Sequence, residues 1–507
     1  MARQVARNSL LSAMASLATT LAAAGSTIIV ARILGVERTG VVTLALWLVT
    51  IAVTVASLGL PTAMTRYIAE SHDGTVQRAL ARRFLWPTVA AAGVTFAVFA
   101  SPALALWIEA TDVVWAALAG EDRQTRVAIW LVLGAATTAQ VLGQYRLGVL
   151  RGQQEFRAAA VVTLWAFALQ MAATLAGCLT FGTLGALAGY ALGAVPAALS
   201  CLATRGCALR PSSEIVARVR RFALYAWAGS VMSAFVWARI EIYFLQRFEG
   251  FEAVGLFTAG LTLASLATQG PLLLTGALLP HFAKAHASGK VDHLREAYAS
   301  ATRLIAFLVF PAGLGLAAIM PVVMPLVFGE AFRPAVPVAS LLVVASAIGA
   351  ASVVGSHLVN ALERSDFVFY CSLCGAMLAV GAGFTLVPVF GLMGAGAARA
   401  LIQLTMVAAG LWFITRKLGY RAPLRELAKL FLAAGLAALA ARLCLILIPG
   451  RWALAAAIPA AMITYVIGVR ALRALTRTDT DRLRSAVSLL PRPLSLCGRP
   501  VLMLIRA

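Results

Sequence analysis

Charge is what this sequence has least of. Of 507 residues only 12% are charged, against about 25% in an ordinary soluble domain, and that excludes a water-soluble globular fold. Acidic side chains are the scarcer kind, 20 against 42 Lys and Arg. The basic excess sits in short gaps between long apolar runs, so it reads as membrane topology and not as a nucleic-acid footprint. Histidine is rare, with 5 in the chain. No H-E-x-x-H, P-loop or G-x-S-x-G run is present, so an enzyme is not the leading reading and neither a metal nor a cofactor is expected. The seven Cys are odd in number and mostly lie inside apolar runs. The pair Cys371 and Cys374, alone on a hydrophobic helix, reads as packing.

What the chain does have is apolar length. Hydrophobic residues make up 61% and mean hydropathy is +0.89. A bilayer core of about 30 Å needs about 20 apolar residues per helix. Fourteen such runs can be placed, near residues 9–33, 40–65, 84–108, 126–149, 158–180, 184–204, 222–246, 253–279, 303–327, 335–361, 367–389, 393–415, 428–449 and 452–471. The predicted fold is therefore an all-α polytopic membrane protein of about 14 transmembrane helices. With the N-terminus inside, roughly 32 of the 42 basic residues fall on the cytoplasmic side, which predicts cytoplasmic N- and C-termini.

The second half repeats the first at an offset of about 215 residues that shrinks along the chain. Residues 31–43 (ARILGVERTGVVT) match residues 246–258 (QRFEGFEAVGLFT). Ala69 and His72 lie opposite Ala283 and His286, Gln154-Glu155-Phe156 opposite Ser365-Asp366-Phe367, and Phe181-Gly182 opposite Phe390-Gly391. Six helices per repeat give both copies the same orientation about a pseudo-twofold axis along the membrane normal, an arrangement suited to alternating access. The expected parts are an N-terminal six-helix lobe (1–208), a C-terminal six-helix lobe (209–420), an extra helix pair (421–472) and a cytoplasmic basic tail (473–507).

The patterns A-R-x-L-G-x-x-x-x-G at Ala31 to Gly40, L-G-L-P-T-A-x-x-R-Y-I-A-E at Leu58 to Glu70, L-R-G-Q-x-x-F at Leu150 to Phe156 and G-x-x-x-V-G-L-F-T-A at Gly250 to Ala259 resemble the bacterial polysaccharide-repeat-unit flippases. These belong to the multidrug, oligosaccharidyl-lipid and polysaccharide exporter superfamily. The resemblance implies flipping of an undecaprenyl-diphosphate-linked oligosaccharide across the bacterial inner membrane, for O-antigen, capsule or exopolysaccharide assembly. Membrane lipids and a polysaccharide polymerase or glycosyltransferases are the implied partners. The count of 14 helices is similar to that of lipid II flippases, in which the extra pair would offer a groove for the polyprenyl tail. A proton- or sodium-coupled multidrug antiporter of the same fold is the alternative.

Candidate residues follow from cost, because an ionisable group within a membrane span faces a cavity or a partner. Arg239, Arg66 and Arg399 are the cationic candidates for a diphosphate. Gln140, Gln144 and Arg146 on one stretch of the fourth span are candidate sugar contacts. Glu241, the only acidic residue deep in a span, is either an ion-coupling site or the structural partner of an arginine. Pro271, Pro311 and Pro321 are expected to kink their helices.

Overall fold

A computed structural model of the chain describes residues 2–71, 73–101, 123–203, 211–237, 240–287, 291–362, 364–448, 452–476 and 478–481. Among these residues the helices are α1 (Ala2–Ala56), α2 (Leu60–Glu70), α3 (Gly74–Ala100), α4 (Arg123–Gly152), α5 (Phe156–Leu199), α6 (Ser213–Trp237), α7 (Glu241–Leu273), α8 (Leu278–Ala287), α9 (Val291–Phe328), α10 (Val336–Ala361), α11 (Ser365–Trp412), α12 (Leu424–Leu447) and α13 (Trp452–Ala471). Among the described residues, ten helical stretches are long and apolar enough to cross a membrane. Four of them contain a non-helical glycine that divides each into two limbs, a total roughly consistent with the fourteen runs read from hydropathy. The chain is an all-α polytopic membrane protein.

The kinks carry the internal repeat into the backbone. Gly35 (φ 83°, ψ −175°) and its repeat partner Gly250 (φ 85°, ψ −171°) adopt one conformation. Gly182 (φ 56°, ψ −127°) and Gly391 (φ 53°, ψ −130°) adopt another. Positive φ of this kind strains any residue with a Cβ, so glycine is needed at each turn. The sequence predicts loops between the paired spans at these places, and the observed connections are tight turns centred on these non-helical glycines. The two limbs of α5 fold back on each other: Gly177 and Gly185 meet backbone to backbone, and a Cβ on either would collide with the carbonyl of the other. Gly189 rests on Thr174 and Gly193 on Gln170. This is a small-xxx-small stripe, which lets membrane helices approach closely in the absence of a hydrophobic driving force.

The chain divides into two compact units, residues 1–258 with 372–395, and residues 259–371 with 396–507. In the first, α2, α3, α4 and α6 share a core built from Met64, Ile68, Leu80, Phe84, Tyr145 and Val219. The Tyr145 hydroxyl donates to the Ala81 carbonyl. The second predicted span, 40–65, is interrupted at Ser57 to Gly59, where Leu58 and Gly59 take left-handed φ of 51° and 66° and Pro61 opens α2. Trp227 Nε1 donates to the Val55 carbonyl at this break (2.9 Å), capping one of the orphan carbonyls a helix end leaves. Of the seventh predicted span, 222–246, the described residues lie on α6, which runs to Trp237, and on α7, which begins at Glu241.

The second unit packs α9 against α10 and against the pair α12 and α13. Its core is aromatic and alanine-rich, including Tyr298, Phe310, Val354, Leu430, Ala433 and Tyr465, and the Tyr465 hydroxyl donates to the Phe307 carbonyl (2.8 Å). Pro271 lies near the end of α7, just before the 3-10 turn Leu274–Ala277, while α9 runs from Val291 to Phe328 through Pro311 and Pro321.

Candidate functional site

Arg66 projects from α2 with about half of its side chain exposed. Its Nε donates to Glu70 Oε1 (3.0 Å), and its guanidinium lies 4.8 Å from the Phe222 ring centroid and 5.6 Å from that of Tyr67. An exposed pair of this kind is worth about 0–1 kcal/mol, so it orients the cation without neutralising it for a stronger anion. Gln140 and Gln144 lie one turn apart on α4, about 40° apart around the axis, whereas Arg146 is turned roughly 200° from Gln144. The Arg146 Nε is buried without a hydrogen-bond partner. Arg399 is half-buried on α11. Glu241 opens α7 and is fully buried. Arg239 lies outside the described residues. The structure brings Gln140 and Gln144 onto one face of α4 and turns Arg146 away from Gln144.

Among the described residues each unit holds a concavity. The first, about 300 Å³, is lined by Ala23, Thr27, Val30, Thr39, Val42, Thr43, Leu46, Trp47, Thr50, Tyr190, Ile242 and Thr258. Its walls come from both limbs of α1 around Gly35, from α5 and from α7. It straddles the repeat relation, since Thr27 pairs with Ile242 and Thr43 with Thr258 at the same offset of 215 residues. The contact that fixes this arrangement is reciprocal. A Cβ on Gly40 would strike the Phe251 carbonyl, and a Cβ on its partner Gly255 would strike the carbonyl of Val36, the partner of Phe251.

Five threonines and a tyrosine put hydroxyls on the wall, and no charged side chain lines it. The Tyr190 hydroxyl lies beside the side chains of Thr27 and Ser26. The Trp47 indole N–H is buried with no hydrogen-bond partner, a loss of about 1–3 kcal/mol that a ligand oxygen would recover. These residues escaped the reading of the sequence, which looked for charge.

The second concavity, about 390 Å³, is an apolar groove walled by Phe307, Pro311, Gly315 and Ile319 of α9, by Ala437 and Ala441 of α12, and by Ala457, Ala461, Met462 and Tyr465 of α13. It is walled in part by the extra helix pair outside the repeat. The same unit holds a second unforeseen feature. Asp479, just after α13, is fully buried and accepts from Arg303 Nε (2.6 Å) and Nη2 (3.1 Å), Ser300 Oγ (2.6 Å), Thr476 N (3.1 Å) and Thr476 Oγ1 (2.7 Å). Burial pushes this carboxyl up, and the bonds from Arg303, Ser300 and Thr476 outweigh it, leaving the group below its ordinary range. The signal that could have found it is Thr476-x-x-Asp479, a capping box, in which the Asp479 N–H also donates to Thr476 Oγ1 (3.3 Å).

Comparison with known proteins follows the same lines. The sequence profile described as "Polysaccharide biosynthesis protein" matches residues 5–286. The teichuronic acid biosynthesis protein TuaB of Bacillus subtilis (strain 168) is 26% identical over 200 residues, a match spanning 38% of this chain and 41% of TuaB. Among solved structures, an inward-facing multidrug resistance MATE family transporter of the MOP superfamily superposes with a TM-score of 0.67 at 18% identity, over 79% of this chain and 95% of that one. The lipid II flippase MurJ in an inward closed conformation gives 0.65 at 11% identity, over 91% of this chain and 98% of that one. The fold is shared with both.

Proposed function

Because the chain belongs to the polysaccharide biosynthesis protein family, we propose that it is a flippase that carries an undecaprenyl-diphosphate-linked oligosaccharide from the cytoplasmic to the outer leaflet of the bacterial inner membrane. The observation that carries this reading is the family match over residues 5–286, set on a fold shared with a lipid flippase and a multidrug transporter. In this reading residues 1–208 and 209–420 are the lobes that rock to give alternating access, 421–472 the accessory pair and 473–507 a cytoplasmic tail, with both termini inside.

The physics of the task sets what the protein must supply. Each sugar hydroxyl taken into hydrocarbon without a partner costs several kcal/mol, and a charge at the bilayer centre about 3–17 kcal/mol. A polar path removes that cost while the polyprenyl chain stays in an apolar one. The α9, α12 and α13 groove supports the apolar part. Arg66, Arg239 and Arg399 are the proposed diphosphate contacts, and Gln140, Gln144 and Arg146 the proposed polar contacts. Two negative charges moving outward through an inside-negative potential gain about 4.6 kcal/mol per 100 mV, twice the single-charge value. O-antigen, capsule and exopolysaccharide precursors, and lipid II, share this chemistry. The burial of Glu241 favours a second reading, proton- or sodium-coupled antiport.

The test is transfer of a fluorescent undecaprenyl-diphosphate oligosaccharide across proteoliposomes holding the purified chain, with Arg66→Ala and Arg239→Ala alongside. Transfer that collapses in the variants supports the reading. Absence of transfer, with proton-coupled efflux of a small cation that disappears in Glu241→Gln, overturns it in favour of the antiporter.

A further inference from the structure

We propose that the threonine-lined cavity of the first unit is a subsite for an uncharged saccharide, distinct from the charged candidates. The proposal deepens the flippase reading and rests on it for the identity of the cargo, but its chemistry comes from the cavity wall. Thr27, Thr39, Thr50 and Thr258 donate their hydroxyl hydrogens to the carbonyls of Ala23 (2.8 Å), Gly35 (2.7 Å), Leu46 (2.8 Å) and Val254 (2.8 Å). Each hydrogen is committed to its own helix, so toward a ligand these side chains offer only lone pairs. The wall is thus rich in acceptors, with the orphaned Trp47 N–H as a donor.

A ligand suited to this wall donates several hydroxyls and accepts at one oxygen, which describes a polyol ring. A primary amine calls for an acidic partner, and a diphosphate needs cations; neither lines the cavity. Trp47 and Tyr190 add two aromatic rings, whose faces suit the C–H face of a sugar. The volume of about 300 Å³ is at the small end of the roughly 300–1,000 Å³ range of ligand sites. That suits a small part of a glycan, not a whole repeat unit.

The experiment uses the full chain in lipid nanodiscs and saturation-transfer NMR with methyl glycosides of glucose, galactose, rhamnose and N-acetylglucosamine. Glucuronate and tetraphenylphosphonium serve as charged comparators. We expect at least one neutral glycoside to saturate, Trp47→Phe to weaken it roughly 2- to 12-fold as loss of one hydrogen bond would, and neither charged compound to compete. Thr43→Val, nearly isosteric, gives a second reading should Trp47→Phe elute as aggregate. No saturable neutral glycoside, unchanged affinity in the folded variants, or displacement by tetraphenylphosphonium would each overturn the subsite. Proteoliposome transfer by the same preparations separates the two ideas. Normal transfer in both variants overturns the subsite and leaves the flippase standing; glycoside binding without transfer by the unmodified chain does the reverse.

Discussion

The cavity of the first unit and the groove of the second are close in volume, about 300 and 390 Å³, and opposite in chemistry. The cavity lies where repeat partners meet, beside the contact of Gly40 with Gly255 and among threonines from both copies. The groove lies where one repeat is covered by helices that have no counterpart. What holds the surrounding helices differs in the same way. The first unit brings backbones together through glycine, at Gly177 and Gly185 and at Gly40 and Gly255. The second uses an alanine and aromatic core with one buried ion pair joining the end of α13 to α9. Close backbone packing leaves little room for side chains, and here the polar groups at the cavity are short hydroxyls. Apolar packing suits a surface meant for hydrocarbon.

The largest expected effect strikes the second unit. Asp479→Asn leaves the Arg303 charge buried without its carboxylate, a loss of about 3–5 kcal/mol, seen as a lower melting temperature of the detergent-solubilised chain. Combining Arg303→Met with Asp479→Leu should recover most of it, since a buried pair replaced by apolar groups is near neutral. The carboxyl is held below its ordinary value, so its contribution is present above about pH 4 and is lost as pH falls through the lower folded value. Melting temperature should therefore hold steady from pH 8 to 5 and drop below about pH 4. An Asp479→Asn chain that melts like the original would remove the ion pair from the comparison.

A smaller effect probes the first unit. Gly185→Ala drives a methyl into the Gly177 carbonyl and should cost about 1–3 kcal/mol, as overpacking does. Gly93→Ala on α3, where nothing lies within 4 Å of the added carbon, should instead stabilise by about 0.5–1 kcal/mol. Equal melting temperatures for the two variants would show that glycine contact does not hold this unit.

How much of this was legible beforehand depends on what leaves a trace in sequence. Long apolar runs gave the membrane class, because a bilayer demands a length no other environment does. The repeat was visible through its glycines, and Gly35 with Gly250, and Gly182 with Gly391, then proved to share dihedral angles, since only glycine tolerates those turns. The break at Ser57 to Gly59 was half visible, in Pro61. The threonine wall was not. A hydroxyl that bonds its own helix costs little to bury, so a threonine at a cavity and one against lipid look alike along the chain, whereas Arg66 and Glu241 stand out by their cost. Asp479 was hidden among the arginines of the tail, although its capping-box spacing to Thr476 was present.

The smallest expected effect tests whether the groove is for a lipid chain. Gly315 lines it, and an added Cβ there meets nothing within 4 Å, so Gly315→Leu fills the groove without straining the helices. Fold stability should be unchanged or slightly raised, because leucine also favours helix over glycine. A hydrocarbon chain displaced from the groove loses about 0.8 kcal/mol per methylene, so one displaced methylene weakens binding about fourfold. Transfer of an undecaprenyl-linked glycan should then slow by a similar factor, while binding of a free methyl glycoside to the threonine cavity stays as it was. Slowed transfer with unchanged glycoside binding would assign the two concavities to the two ends of one amphipathic cargo. Unchanged transfer would leave the groove as packing against bulk lipid, and the contrast between the units would then concern stability alone.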